Sequence, residues 1–145
     1  MPQRGRSPVV ATLLYQRELR DQASIGAFLT SDYKSGLHDP FLLKGMRAAA
    51  NRLAAAIAEG EPIVVYGDFD TDGVTAVTLL VQAITAMGGE IRPYIPHRLR
   101  EGYGLNTEAI DQLAAEGVRV LLTVDCGISN VREVAYAREI GRASC

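Results

Sequence analysis

Between residues 62 and 124, short β-branched runs alternate with helical stretches that end at glycines. This alternation narrows the folds open to the chain more than any other feature. Residues 63–66, Ile-Val-Val-Tyr, form an unbroken apolar and aromatic run, the pattern of a strand covered on both faces. Residues 73–87 read as a helix that is apolar nearly all round. Its polar members Thr75, Thr78, Gln82 and Thr85 make one stripe, and Gly88-Gly89 stops it. Residues 91–95 read as a second strand, which Pro93 suits to an edge. A helix over 106–116 ends at Gly117, and 118–124 is a third buried strand. Asn130-Val131-Arg132-Glu133 has the form of a capping box opening a last helix to Ile140. The order β-α-β-α-β-α predicts an α/β fold, a parallel β-sheet flanked by helices.

The part before this unit reads as helical. Residues 1–8 are polar with two prolines and are expected to fray, and 9–20 and 22–29 suit two short helices. The pattern is lost over 31–40, where Gly36 and Pro40 mark a loop. Leu42, Met46, Ala49, Leu53 and Ala56 then share one face of a 3.6-residue period. Asp39-Pro40 is the start signal for that helix and Gly60 its stop. The chain therefore divides into a helical segment, 1–60, and an α/β segment, 61–145. Met46 and Met87 read as core and Tyr66 as a plain strand residue.

Charge is distributed unevenly. The net charge is −2 over 145 residues, with no global basic signature of nucleic-acid binding. Residues 61–145 nevertheless hold twelve Asp/Glu against seven Lys/Arg, and four of the twelve are Asp68, Asp70, Asp72 and Asp125. A cation at those four would leave the rest of this half near neutral. The two cysteines, Cys126 and Cys145, show neither a disulfide framework nor zinc spacing, which fits a reducing compartment. Cys126 reads as a small buried residue. The apolar run over 9–14 is shorter than the about 7–15 residues of a secretory segment, and far from a membrane span. A cytoplasmic protein with no membrane partner is expected.

The three strands end at Asp68-Phe69-Asp70-Thr71-Asp72-Gly73, at Pro96-His97-Arg98 and at Asp125-Cys126-Gly127. In open parallel sheets ligands bind beyond these carboxyl ends. Like charges gathered at the end of a buried strand are costly unless a cation is present or some groups stay protonated. Hard divalent ions take carboxylate oxygens, and a pair of them can clamp a phosphoryl group and activate water. Gly73 and Gly127 leave room for a ligand or for a close backbone.

The residues by themselves leave alternatives. A solvated acidic turn with helix-capping aspartates is one. A calcium loop of EF-hand type also begins D-x-D-x-D-G, but its twelfth position is Leu79 rather than Glu, and a strand stands where its first helix belongs. A haloacid-dehalogenase-like phosphatase also has D-x-D after an apolar strand, with Asp68 as the phosphate acceptor, although that family usually has Thr or Val where this chain has Asp72.

The run of motifs resembles a fourth family. LHDPFLLKGM (37–46), IVVYGDFDTDGVTA (63–76), YIPHRLREGYGLN (94–106) and LLTVDCGIS (121–129) follow in order. Together they resemble the N-terminal part of the RecJ-type single-stranded-DNA-specific exonucleases, in the DHH phosphoesterase superfamily. The resemblance implies metal-dependent hydrolysis of single-stranded DNA from the 5′ end, with Mn²⁺ or Mg²⁺ as cofactor. It implies Asp70, Asp72 and Asp125 as the foremost metal ligands, with Asp68 a direct ligand or a partner that orients one. The R-x-x-E-G-Y-G match gives Arg98 a role at a phosphate and Tyr103, between Gly102 and Gly104, a role at a base. His97 stands where Asn is expected in the family and is not read as a ligand; solvated arginines in a surface loop are the alternative for this segment.

The resemblance also implies missing parts. The Asp-His-His motif would follow the next strand, soon after Ala137-Arg138-Glu139-Ile140-Gly141, and Arg142-Ala143-Ser144-Cys145 does not read as that apolar strand. The expectation is a partial phosphoesterase domain, cut before the DHH motif, with an unpaired sheet edge and little or no nuclease activity of its own. A non-catalytic remnant of the same fold is the alternative.

Overall fold

The structure, a computed structural model, describes residues 7–30, 32–141 and 143–144. The expected fraying of 1–8 falls mostly outside that range, as does Cys145. The chain forms two compact units, one ending at Lys44 and one beginning at Gly45.

The first unit is made of short helices: α1 (Pro8–Gln16), α2 (Gln22–Thr30), α3 (Tyr33–Gly36) and a 3-10 turn (Pro40–Leu42). Pro8 opens α1 where a missing N–H costs nothing. The helix stops before the expected residue 20, and Glu18 takes a left-handed φ of 61°. Asp21 starts α2 by accepting from the Ala23 and Ser24 amides. A short helix, α3, occupies part of the expected loop.

In the second unit, α4 runs Met46–Glu59, so the helix expected from the Asp39-Pro40 signal begins later. Asp39 does cap, but it caps the 3-10 turn, accepting from the Phe41 amide. Leu43 is then extended and Gly45 left-handed, which separates Leu42 from the helix and leaves it exposed. Gly60 ends α4 at φ 66°, as expected.

Next come β1 (Ile63–Tyr66), α5 (Thr71–Ala86), β2 (Ile91–Tyr94), α6 (Thr107–Ala115), β3 (Val120–Thr123), α7 (Val131–Glu139) and β4 (Ala143–Ser144). The sheet order is β2-β1-β3-β4 and every pairing is parallel. Pro93 sits on the edge strand β2, opposite Val65. The last strand differs from expectation: Ala143 and Ser144 pair with Val120 and Leu121. Main-chain pairing of two residues does not depend on apolar side chains, so composition did not signal it.

Both sheet faces are covered, and β1 shows why its run is continuous. Ile63 joins Ala56, Ile84 and Val120 in one cluster. Val64 and Tyr66 point the other way, among Leu105, Ala109, Ile110, Leu113 and Leu121. All four β1 residues are at most 1% exposed. Full burial of a Val or Ile side chain contributes about 1.5–3 kcal/mol, so the central strand is a rigid base for whatever its end carries. Helix α5 is less enclosed than its composition suggests. Leu79 is exposed, and Met87, expected in the core, is 60% exposed where the chain turns into Gly88. Met46 is half-buried.

Candidate metal centre

Strand β1 delivers Gly67 and Asp68 beyond its last residue, and Asp68 is buried at 6% exposure. Its carboxylate accepts from the Phe69 amide at 2.6 Å. Two residues on, Asp70 is the N-cap of α5 and accepts from the Asp72 and Gly73 amides, both at 3.0 Å. The cap holds one carboxylate oxygen at the positive end of the helix. From β3 the chain reaches Asp125 in a left-handed conformation, φ 56°, with Gly127 following at φ 94°. Asp is among the few residues that enter this region readily.

These turns bring oxygen atoms of Asp68, Asp70 and Asp125 within 4.8 Å of one another. Asp72, in the first turn of α5, lies outside this trio and is exposed. Its charge still acts on Asp125, whose carboxyl is held above its usual range by partial desolvation and by the Asp70, Asp72 and Asp68 charges. The donor set is all carboxylate oxygen, the chemistry preferred by hard divalent cations, and such a cation would relieve the repulsion that raises Asp125. The residues therefore fit a Mn²⁺- or Mg²⁺-like ion.

Two glycines make the approach possible. A Cβ on Gly73 would lie 2.5 Å from the Asp68 carbonyl oxygen, and one on Gly127 would lie 2.7 Å from the Thr123 hydroxyl oxygen.

The 97–104 loop lies alongside. The Arg98 guanidinium sits 5.0 Å from the centre of the Phe69 ring, between the first two aspartates in sequence. Tyr103 donates its hydroxyl to the Asp125 carbonyl at 3.1 Å, with its ring 61% exposed. Partial desolvation and the nearby acidic groups, Asp68 foremost among them, raise its hydroxyl pKa. Gly102 and Gly104 both have positive φ, 79° and 83°, and a Cβ on Gly104 would strike the Asn130 amide. His97 is exposed, and its Nδ1 accepts from the Leu99 amide at 3.3 Å. Cys126 is half-buried against the Tyr66 carbonyl, and burial pushes its thiol up to about 11.

The family model "DHH family, N-terminal domain" matches residues 62–144, which hold every one of these groups. This chain belongs to the DHH family. Among curated DHH relatives, the single-stranded-DNA-specific exonuclease RecJ of Bacillus subtilis (strain 168) is 39% identical over 136 residues, 93% of this chain and 17% of its own length. The RecJ of Thermus thermophilus is 44% identical over 99 residues, 68% of this chain and 15% of its own. The chain thus spans under a fifth of the length of these relatives. Among solved structures, an exonuclease RecJ bound to manganese superposes with a TM-score of 0.65 at 43% identity, covering 70% of this chain and 26% of that one. A Thermus thermophilus RecJ in complex with Mn²⁺ gives 0.63 at 32% identity, covering 94% and 18%. The family match overturns the phosphatase alternative.

Sequence reasoning missed two residues of this DHH site. Tyr66, read as a plain strand residue, donates its buried hydroxyl to the Gly104 carbonyl at 2.9 Å and accepts from Asn106. The signal was present: a hydroxyl at the end of a fully buried strand must find a partner. Glu101 accepts from the Tyr94 hydroxyl and the His97 amide, and nothing local in the sequence indicates that. Asn130 also departs from expectation. It precedes α7 without a side-chain cap bond, and its amide donates to the Leu105 carbonyl instead.

Proposed function

We propose that this chain is part of a metal-dependent enzyme that hydrolyses phosphodiester bonds of single-stranded DNA in the 5′→3′ direction, as in DNA repair and recombination. The observation that carries the reading is the convergence of Asp68, Asp70 and Asp125 beyond the ends of two neighbouring parallel strands. Asp70 and Asp125 are the central ligands, with buried Asp68 and first-turn Asp72 on either side. A Mn²⁺ or Mg²⁺ ion bound there would polarise a phosphate oxygen and lower the pKa of a bound water.

The chain's own groups orient the substrate. Arg98 offers a planar cation to a phosphate beside the carboxylates, and its position over Phe69 limits its freedom. The exposed Tyr103 ring offers a stacking face to a base, worth about 1–3 kcal/mol where measured by alanine substitution. Gly102 and Gly104 allow the turn that presents it. No helix among the described residues is long and apolar enough to cross a membrane, and a cytoplasmic location suits the proposed reaction.

The test uses a single-stranded oligonucleotide labelled at either end. The reading expects Mn²⁺-dependent binding by this chain, lost in Asp70→Asn and weakened in Arg98→Ala and Tyr103→Ala. Any turnover should release label from the 5′ end first. Binding that ignores both Mn²⁺ and Asp70 would overturn the reading.

A further inference from the structure

The 97–104 loop is weakly supported by its own composition. Leu99 is 90% exposed, and His97, Arg98 and Arg100 are exposed as well. Behind it lies a polar cleft of about 470 Å³, lined among others by Tyr94, His97, Arg100, Glu101 and Asn106. Apolar packing therefore does not fix the position of Arg98 and Tyr103.

A chain of polar contacts does. Tyr66, at the end of the central strand, stacks on Tyr94 of the edge strand with ring centres 5.0 Å apart. The Tyr94 hydroxyl donates to one Glu101 oxygen at 2.5 Å, and the His97 amide donates to the other at 2.6 Å. At the far end, the Gly104 carbonyl accepts from Tyr66. The loop is thus tied to the two tyrosines at 101 and 104, Tyr103 reaches the Asp125 carbonyl, and Glu101, by also taking the His97 amide, links the half of the loop that carries Arg98 to the sheet.

We propose that Glu101 is a positioning residue, whose carboxylate bridges the Tyr94 hydroxyl and the His97 amide to hold Arg98 and Tyr103 at the metal centre. The inference deepens the reading above and rests on it for the substrate. Charge-assisted hydrogen bonds are about twice as strong as neutral ones. Their loss should release the loop without moving the carboxylates, which stand on the ends of β1 and β3. Glutamine keeps one acceptor oxygen, and its amide can donate to the Tyr94 oxygen, so it should restore most of the function.

Three quantities decide it for wild type, Glu101→Ala and Glu101→Gln: Mn²⁺ affinity, affinity for an unlabelled oligothymidylate at saturating Mn²⁺, and amide hydrogen exchange. In Glu101→Ala, oligothymidylate affinity should fall roughly tenfold with Mn²⁺ affinity within about twofold of wild type. Amides of 97–104 should exchange roughly tenfold faster while those of β1 stay protected, which shows the fold intact. Glu101→Gln should recover both to within about threefold. Unchanged exchange over 97–104, a parallel loss of Mn²⁺ and oligonucleotide binding, or no recovery in Glu101→Gln would each overturn the assignment. If wild type itself fails to bind oligothymidylate, the functional reading falls, and exchange over 97–104 still decides whether Glu101 positions the loop.

Discussion

Replacing Gly73 with alanine sets two effects against each other within one helix. Gly73 lies in the first turn of α5 with an ordinary negative φ. Helix propensity alone favours alanine there by about 0.8–1 kcal/mol. The new Cβ, however, would stand 2.5 Å from the Asp68 carbonyl oxygen and 2.8 Å from the Asp68 carbonyl carbon and Cα. Ordinary contact begins near 3.4 Å. All three atoms are backbone, so no side chain can rotate away, and the helix start or the end of β1 must move. Overpacking of this kind costs typically about 1–3 kcal/mol and occasionally more. The steric term outweighs the propensity gain, and Gly73→Ala should be destabilised by up to about 2 kcal/mol in urea unfolding followed by far-UV circular dichroism. The displaced atoms belong to Asp68, so Mn²⁺ affinity should fall with stability. Gly26→Ala in α2 is the control. Nothing lies within 4 Å of its added Cβ, and it should be more stable by about 0.5–1 kcal/mol. A Gly73→Ala chain as stable as wild type and binding Mn²⁺ equally well would refute the close-approach argument.

Other perturbations separate roles that overlap in one residue. Asp70→Asn should keep the α5 cap, since Asn caps as well as Asp, and lose Mn²⁺ binding at nearly unchanged stability. Asp70→Ala should lose both, with about 1 kcal/mol of stability, by the same unfolding assay and metal titration. Tyr66→Phe retains the stack on Tyr94 but leaves the Gly104 carbonyl and the Asn106 amide without this partner; a loss of about 1–3 kcal/mol is expected in urea unfolding. The Glu101 carboxyl is held below its ordinary 4.5 by the His97 amide first and the Tyr94 hydroxyl second. A depressed carboxyl stabilises the fold above its unfolded pKa, and that contribution fades as pH falls from about 4.5 through the folded value. Stability measured from pH about 6 downward should therefore decline less steeply in Glu101→Gln than in wild type.

The sheet was legible because its signals are local. Four consecutive apolar residues in β1 fit a strand covered on both faces, and Gly60, Gly88 and Gly117 each end a helix with positive φ. The gathering of carboxylates was legible from topology, since parallel strands put their carboxyl ends on one edge. What failed depended on partners far away in sequence. The start of α4 was misplaced because Asp39 caps a 3-10 turn three residues long. Asn130 looked like a helix cap, yet its amide serves Leu105, 25 residues away. The Tyr66 hydroxyl finds its acceptor 38 residues on, at Gly104. Strand β4 rests on main-chain pairing that side chains do not announce. The grouping of Asp68 with Asp70 and Asp125 needed the turn geometry as well, because spacing alone gives Asp68 and Asp72 equal standing around Asp70.

The account rests on the carboxylates acting together as a cation site, and Mn²⁺ titration calorimetry on the purified chain tests that most directly. Wild type, Asp70→Asn and Asp125→Asn are compared with Glu90→Gln, which changes a carboxylate just before β2, at the amino end of the strands rather than the carboxyl end. The account predicts saturable binding in wild type and Glu90→Gln, and its loss in both aspartate variants. Absence of saturable binding in the folded chain, or equal weakening in all three variants, would contradict it.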